Sequence, residues 1–358
     1  MKFTKLNQLQ MPTWRWLGMN EAQLEVGAAL GGAYRGGTLS GAEQVQICHE
    51  VTLPELPHLP ADLGRLRDFA AAHQNYGLTV TIPQGVRCDR PILLDLVLDD
   101  ESPVLIDLLH IHGQPGSRAE VVVRYRSSGA GGYFHGGFAV VQADRDAQVR
   151  LIKLQMLGEE DAHLDGTAVC VREQGEGSAL FCELGGGQVV SGCNLSLAGA
   201  DSRGELDTLY LGSGQRRQDF NYRLELRGAG TDGAISVRGA LADGARKVLK
   251  STLDFLSGAA GSRGVEEETV LTLSDRVVNL STPLLLSGEA DVEGSHATSS
   301  GRPDPVKLYY LMSRGLTRQE AKRLLVEASF TPILAKLPGQ ELRDEVYERI
   351  REVVHHAD

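Results

Sequence analysis

The chain has 358 residues, including 42 glycines, and a formal net charge of −11 at pH 7. This acidic balance argues against a general nucleic-acid binder, because phosphate recognition needs a basic surface. No apolar run approaches the ~18–20 residues of a membrane span, and the N-terminus lacks the apolar core of a secretory signal, so we expect no membrane association and a cytoplasmic location.

Residues 1–77 predict an N-terminal segment followed by one short helix. Both tryptophans, Trp14 and Trp16, lie in this segment, and we expect them to anchor it on the body of the protein. The helix is predicted over residues 61–76, because apolar residues recur there at helical spacing. The residues on its predicted apolar face are Leu63, Leu66, Phe69 and Ala70.

Residues 78–300 predict a β-rich core. Short runs alternate apolar and polar residues at period two, as strands do, with glycine, aspartate, serine and asparagine between them. More than ten such runs without a helix leave a sandwich, a propeller or a β-helix. No motif of ~40 residues recurs as propeller blades would, and the tracts LYLG, LELRG and VRGAL are typical of successive rungs. We therefore predict a parallel β-helix, a right-handed solenoid.

The stretch 291–316 carries the sharpest local signals in the chain. It predicts a β-like segment, then a polar turn that holds His296, and then a helix. Asp304 is a good N-cap, and Pro305 suits the first helical position. Gly315 is placed to end the helix, since glycine is favoured just past a helix end.

Residues 301–358 predict a C-terminal helical subdomain of three helices that caps the solenoid or docks on a partner. On the first helix, Tyr309 and Tyr310 lie about 100° apart, which would let one pack inward while the other faces a partner. Thr317 and Glu320 form a capping box at the start of the second. The predicted apolar faces are Ala321, Leu324, Leu325 and Ala328 on the second helix, and Leu342, Val346, Ile350 and Val354 on the third.

The cysteines predict no disulfide framework. They are odd in number and scattered, without a CxxC pair, in a large chain expected in the cytoplasm. We interpret each of them as a reduced and mostly buried thiol. The five are Cys48, Cys88, Cys170, Cys182 and Cys193.

Five histidines are candidates for chemistry. His110 and His112 form an HxH pair whose side chains face one way on a strand; this suits a metal site, and a solvated strand face explains it equally well. His135 and His163 are interpreted as isolated and structural. His296 lies among small polar residues, where an imidazole can bind iron or another metal, or shuttle protons.

A β-helix is also compatible with a carbohydrate-active enzyme, which would need acidic residues along one solenoid face. The acidic residues here form no repeated ladder, and the triplet at 266–268 is predicted to lie in a solvated turn. Neither a nucleotide-binding glycine motif nor a GxSxG elbow occurs. These observations leave the enzyme hypothesis with little direct support.

From His296 to Phe330 the chain resembles the SufB/SufD family of iron–sulfur cluster assembly proteins. The shared pattern is a histidine among small residues, Gly-Arg-x-Asp, an aromatic pair with leucine, Ser-Arg-Gly, and a helix with Glu-Ala. Weaker similarity extends over roughly residues 175–335. The matching residues are His296, Gly301, Arg302, Asp304, Tyr309, Tyr310, Leu311, Ser313, Arg314, Gly315, Glu320 and Ala321.

The resemblance implies a β-helix core with helical ends in a non-enzymatic assembly subunit. It implies pairing with a SufB-like protein through the β-helix and docking of a SufC-type ATPase, which hydrolyses the ATP, through the C-terminal helices. It implies no cofactor held tightly by this chain alone, but a transient iron–sulfur cluster at a shared interface, with His296 as the cluster-site and metal residue. The implied partner-binding residues are Leu308, Tyr309, Tyr310, Arg314 and Gly315.

Departures from the family pattern favour a SufD-like role. Gly294 stands where many SufD proteins carry a cysteine, and Ala297 stands where SufB carries a glutamate. The last cysteine is Cys193, so the late cysteine of SufB has no counterpart. The alternative is a SufB-like homodimer that holds a cluster with its own thiols, for which Cys170, Cys182 and Cys193 are the candidates.

Overall fold

The structure is a computed structural model that describes residues 2–9, 17–20, 22–27, 30–56 and 58–355. Its body is a parallel β-solenoid of about eight turns, which confirms the predicted fold class. The predicted anchoring by Trp14 and Trp16 falls outside the described residues.

The described elements are four helices and twenty strands, most of the strands about ten residues long. In chain order they are β1 (Lys2–Leu6), β2 (Ala22–Glu25), β3 (Gly37–Ser40), β4 (Gln46–Cys48), α1 (Ala61–His73), β5 (Tyr76–Ile82), β6 (Ile92–Leu98), β7 (Val104–Gly113), β8 (Arg118–Ser127), β9 (Phe134–Ala143), β10 (Gln148–Met156), β11 (Ala162–Val171), β12 (Glu176–Glu183), β13 (Gln188–Leu197), β14 (Arg203–Gly212), β15 (Arg217–Leu226), β16 (Asp232–Leu241), β17 (Arg246–Phe255), β18 (Ser262–Thr272), β19 (Val278–Ser287), β20 (Val292–Gly301), α2 (Pro305–Ser313), α3 (Arg318–Leu334) and α4 (Gln340–His355).

Two nine-stranded sheets form the solenoid. The even sheet runs from β3 through β6, β8 and the following even strands to β20, and the odd sheet runs from β4 through β5, β7 and the following odd strands to β19. From β5 onward the neighbours pair in parallel, so each turn of the chain adds one strand to each sheet. At the first end, two short strands close the two sheets: β3 pairs antiparallel with β6, and β4 pairs antiparallel with β5.

The main core lies between the two sheets. Successive side chains of a strand point to opposite faces, so alternate residues of the strands in the two sheets enter this space. Phe181, Phe220 and Phe255 are fully buried in it, among many leucines and valines. Burial of such side chains stabilises the fold by about 1.5–3 kcal/mol each.

Helices cover the outer face of each sheet. On the odd sheet, α1 buries Leu63, Leu66 and Ala70 as predicted, while Phe69 is half-buried. On the even sheet, α3 and α4 pack against strands β8 to β16. The C-terminal helices thus lie along a side of the solenoid rather than across its last turn. None of the helices in the described part of the chain is long and apolar enough to cross a membrane.

The buried face of α3 differs from the predicted one. Ala321 is buried as predicted, but Leu324 is 43% exposed and Ala328 is exposed. Several stripes of this helix satisfy helical periodicity, and contact with the even sheet selects the one that presents the large Phe330. Its buried residues are Ala321, Val326, Phe330, Ile333 and Leu334, whereas all four residues predicted for α4 are buried.

Thr317→Ala is expected to lower the free energy of unfolding by about 1 kcal/mol. The Thr317 hydroxyl accepts a hydrogen bond from the Glu320 backbone N–H at 3.2 Å, and the Glu320 carboxylate accepts one from the Thr317 N–H at 2.7 Å. Urea denaturation measures the loss. The control is Thr331→Ala, an exposed change on the same helix; equal losses for the two variants would contradict the capping argument.

Candidate functional site

The strongest candidate site is the end of the solenoid formed by β19 and β20, called the open end here. These are the last strands of the two sheets, and within the described residues no strand pairs with their outer edges. Nearly all of β20 is exposed, and on β19 the apolar Val278 and Leu285 are 37% and 39% exposed. Long uncovered edges are normally avoided, because their free N–H and C=O groups pair with other chains. The open end therefore has the character of an interface.

His296 lies in the middle of β20, so the predicted polar turn is wrong. Its small polar neighbours are typical of turns, but backbone pairing with β18 holds the whole segment extended. The register places His296 beside Glu266, whose side chain faces the interior. His296 faces the same way and stays exposed, because β20 is the last strand of its sheet among the described residues.

The acidic triplet at 266–268 also lies in a strand rather than in the predicted solvated turn. Glu266 and Glu268 are buried on the inner face of β18, and Glu267 is exposed on the outer face. The Lys247 ammonium donates to the Glu268 carboxylate, and the Ser251 hydroxyl donates to Glu266. One carboxylate oxygen of each buried glutamate has no hydrogen-bond partner. Spare acceptor capacity therefore lies directly beneath His296.

The electrostatics around the two buried glutamates favour a cation. Burial raises the pKa of Glu266, with Glu268 acting in the same direction, while Ser251, His296 and Lys247 oppose the shift. Burial lowers the pKa of Lys247 although Glu268 opposes it. A cation placed between Glu266 and His296 would stabilise the charged carboxylate, and both side chains carry metal-ligand atoms.

A second candidate surface lies on α2, directly after the open end. Asp304 caps this helix by accepting from the Val306 N–H at 2.8 Å, as predicted. Apolar residues nonetheless cover its outer side. Those exposed are Val306, Tyr309, Tyr310 and Met312, called the α2 patch here. A contiguous exposed apolar patch usually marks a site of interaction.

The two tyrosines of the α2 patch do not divide their roles as predicted. Tyr309 is 75% exposed and Tyr310 is 55% exposed, so neither packs inward. Leu308 is the residue of α2 that packs against the protein, which leaves the aromatic side free. The Arg314 guanidinium lies 5.2 Å from the centre of the Tyr310 ring, and Gly315 ends the helix with a φ of +97°.

The thiols lie away from the open end. Cys182 and Cys193 are buried, and burial raises the pKa of both. Cys170 is half-buried, and burial raises its pKa as well. At residue 294, a Cβ atom would lie 2.9 Å from Leu285 and from Phe255. Any larger residue two positions before His296 would require these side chains to shift.

His110 and His112 share one face of β7, as predicted, but each is hydrogen-bonded to a residue in β9 or in the turn that follows it. Their Nε2 atoms lie 2.8 Å from Gln142 and 2.9 Å from Asp144. The pair belongs to none of the three-ligand groups of histidine, cysteine and carboxylate found among the described residues. Both histidines of the HxH pair are therefore hydrogen-bonded residues on the outer face of β7.

His135 and His163 are not isolated, which corrects their interpretation. They lie on β9 and β11, one turn of the solenoid apart, and their Nδ1 atoms are 2.8 Å from each other. The signal that reveals them is their separation of 28 residues, which equals the distance between the starts of these two strands. The alternation of apolar and polar residues within a single strand cannot reveal this separation.

Comparison with known proteins gives consistent results. A family model described as "SUF system FeS cluster assembly, SufBD core domain" matches residues 96–329. The chain is 27% identical over 308 residues to the iron–sulfur cluster assembly protein SufD of Bacillus subtilis, covering 82% of this chain and 68% of that protein. It is 24% identical over 306 residues to an iron–sulfur cluster assembly SufBD family protein of Mycobacterium bovis, covering 83% of this chain and 75% of the relative.

Proposed function

Since this chain belongs to the SufBD family of the SUF iron–sulfur cluster assembly system, we propose that it is a SufD-like, non-enzymatic subunit of an assembly scaffold. The observation that carries the proposal is the open end, where His296 stands on an uncovered terminal strand above two buried glutamates. A second solenoid placed end to end would complete both sheets and enclose this histidine. Iron and sulfide are the substrates assembled there, and the cluster is the product.

The proposed partner at the open end is a SufB-like protein. Two uncovered strands of ten residues each offer backbone donors and acceptors to another β-solenoid. The exposed Val278 and Leu285 add apolar surface that pairing would bury. The opposite end lacks this opportunity, because β3 and β4 close it with only four and three residues.

The proposed partner at the α2 patch is a SufC-type ATPase, which would hydrolyse the ATP. The patch directly follows the open end in the chain, so motion of a partner on α2 would be transmitted to β20 through residues 302–304. Tyrosine and arginine are enriched in the energetically dominant positions of interfaces, and the patch combines Tyr309, Tyr310 and the adjacent Arg314.

Two alternatives receive less support. A SufB-like homodimer built on its own thiols would need accessible cysteines, but Cys182 and Cys193 are buried within the strands and have raised pKa values. A carbohydrate-active enzyme would need an exposed acidic face. Asp161, one of the acidic residues, is instead buried and accepts bonds from the Tyr133 and Gly158 backbone N–H groups in a turn.

The experiment is co-expression with the SufB-like protein and SufC-type ATPase of the same organism, followed by co-purification and anaerobic reconstitution with iron and sulfide. The expected result is a three-component complex that holds a cluster, while the chain alone holds none. A cluster held by the chain alone and lost on replacing Cys170, Cys182 or Cys193 would support the homodimer instead.

His296→Ala is expected to lower the iron and sulfide bound by the reconstituted complex at least about tenfold, since removing even a supporting group of a metal site costs that much. The complex itself should persist, because His296 is exposed and the backbone ladder of β20 is unchanged. Iron and acid-labile sulfide assays measure the loss. His73→Ala, an exposed histidine on α1, is the control, and equal cluster content in both variants would refute the assignment.

A further inference from the structure

A second group of metal-ligand atoms lies inside the solenoid, far along the chain from the open end. It comprises His135 on β9 with His163 and Asp165 on β11, all of them buried. One ligand atom from each, two imidazole nitrogens and a carboxylate oxygen, all lie within 4.8 Å of one another. We propose that these three residues bind one divalent transition-metal ion inside the solenoid.

A hydrogen bond to a carboxylate orients the His135 imidazole as a metal ligand. The far nitrogen of His135, Nε2, lies 2.9 Å from Asp107 Oδ1, and the far nitrogen of His163 lies 3.8 Å from Glu183 Oε2. Metal-ligating histidines almost always direct the other ring N–H to a carboxylate or carbonyl group. His135 follows that pattern, whereas the 3.8 Å separation at His163 is too long for a hydrogen bond. The two Nδ1 atoms face each other at 2.8 Å.

The protons of the two imidazoles leave room for a metal ion. If His135 directs its Nε2–H to Asp107, its Nδ1 carries a lone pair that accepts the Nδ1–H of a neutral His163. A metal ion in place of that proton would bind both Nδ1 atoms, with the His163 proton on Nε2, on the side of Glu183. A four-coordinate zinc ion would set these nitrogens about 3.3 Å apart, from Zn–N distances near 2.0–2.1 Å, so a shift of about half an ångström suffices.

The surroundings are acidic enough for a divalent ion. Asp107, Asp165 and Glu183 share the cluster with a single ammonium group, that of Lys153, which lies 2.7 Å from both oxygens of Asp165. Each oxygen of Asp165 keeps a lone pair for a metal, and Glu183 Oε2 has no hydrogen-bond partner. The Tyr125 hydroxyl donates to Asp107 at 2.9 Å and fixes that carboxylate from the opposite sheet.

Gly137, on the same strand as His135, leaves room for the contact between Asp107 and His135. A Cβ atom at Gly137 would lie 2.0 Å from Asp107 Oδ1 and 2.9 Å from His135 Nε2. Any other residue there would push the carboxylate from the imidazole. The backbone of β9 is thus fitted to the Asp107–His135 contact.

The donor set identifies the class of ion. Two imidazoles and a carboxylate suit zinc and ferrous iron, whereas magnesium and calcium prefer oxygen ligands alone. Because all three ligands are buried, the ion would be bound as the strands assemble and would exchange slowly. Its role would be structural, joining two neighbouring turns of the odd sheet.

The test is metal analysis of the full-length protein carrying His296→Ala, which removes the exposed histidine of the open end. We expect about one equivalent of zinc or iron per chain, as for other buried sites with preformed ligands, and elemental analysis separates the two metals. Adding His163→Gln should remove at least nine-tenths of the ion. The matched control is His110→Gln, a histidine on the outer face, which should retain it.

A second measurement keeps the proposal testable where His163→Gln fails to fold. The His296→Ala protein is unfolded with chelator and refolded with cobalt(II), whose visible d–d bands report four-coordinate nitrogen and oxygen ligands. Bands at about one equivalent, together with a raised melting temperature, support the site. Refolded protein without stoichiometric cobalt or zinc would overturn it and leave the cluster as a hydrogen-bonded network.

Discussion

Replacing Tyr309 and Tyr310 together by serine is expected to weaken binding of a SufC-type ATPase by about 100-fold or more, since each aromatic anchor of an interface typically contributes 2 kcal/mol or more. Both rings are largely exposed on α2, so the fold does not depend on them. Burial of these two rings against a partner would give the largest gain in binding free energy available on this surface. Calorimetric titration of the purified proteins measures the dissociation constant.

The control for this prediction is Glu348→Ser on α4, an exposed change away from the α2 patch. It should leave the dissociation constant within twofold, about 0.4 kcal/mol. A third variant combines Tyr309→Ala with Arg314→Glu and removes the cation beside the ring of Tyr310. If the ATPase binds all of these variants as it binds the parent protein, α2 is not its docking surface.

Replacing Val278 and Leu285 together by aspartate is expected to abolish pairing with a SufB-like protein at micromolar concentration. Both side chains are partly exposed on β19, so the monomer tolerates the change. In a paired state, two carboxylates would be buried among apolar groups without partners, which costs several kcal/mol each. Light scattering after size-exclusion chromatography measures the loss of the larger species.

The matched control places the same charges at the opposite end of the solenoid. Thr38 and Ser40 are exposed on β3, which closes the even sheet. Their replacement by aspartate should leave the pair intact. If pairing survived the β19 changes but were lost with the β3 changes, the interface would lie at the β3 end of the solenoid, contrary to our proposal.

Much of the fold was predictable because its signals are local. Alternation at period two identified the strands, and the absence of intervening helices led to a parallel solenoid. The caps of α2 and α3 were predicted to the residue, because Asp304, Thr317 and Glu320 bond to backbone groups within three positions. The resemblance around His296 pointed to the family, and the family match over residues 96–329 confirms it.

The candidate site was predicted only in part. His296 and the tyrosines were identified, but the segment around His296 was predicted as a turn, because its serines, threonine and glycine have no strand signature. Its strand exists through pairing with β18 alone. For the same reason Glu266 and Glu268 were predicted to be solvated, although the register of β18 turns them inward. Burial of an acidic residue depends on neighbours that sequence spacing does not reveal.

By itself the sequence determined the class of fold, the caps of α2 and α3 and the family, since these follow from residue propensities, capping side chains and the order of side chains in one motif. The tertiary structure decided which residues meet. Residues about one turn apart become neighbours when the solenoid closes, as His135 and His163 do on β9 and β11. It also decided which face of α3 is buried and which end of the solenoid remains uncovered. These depend on the sheets as assembled surfaces, and local periodicity carries no information about them.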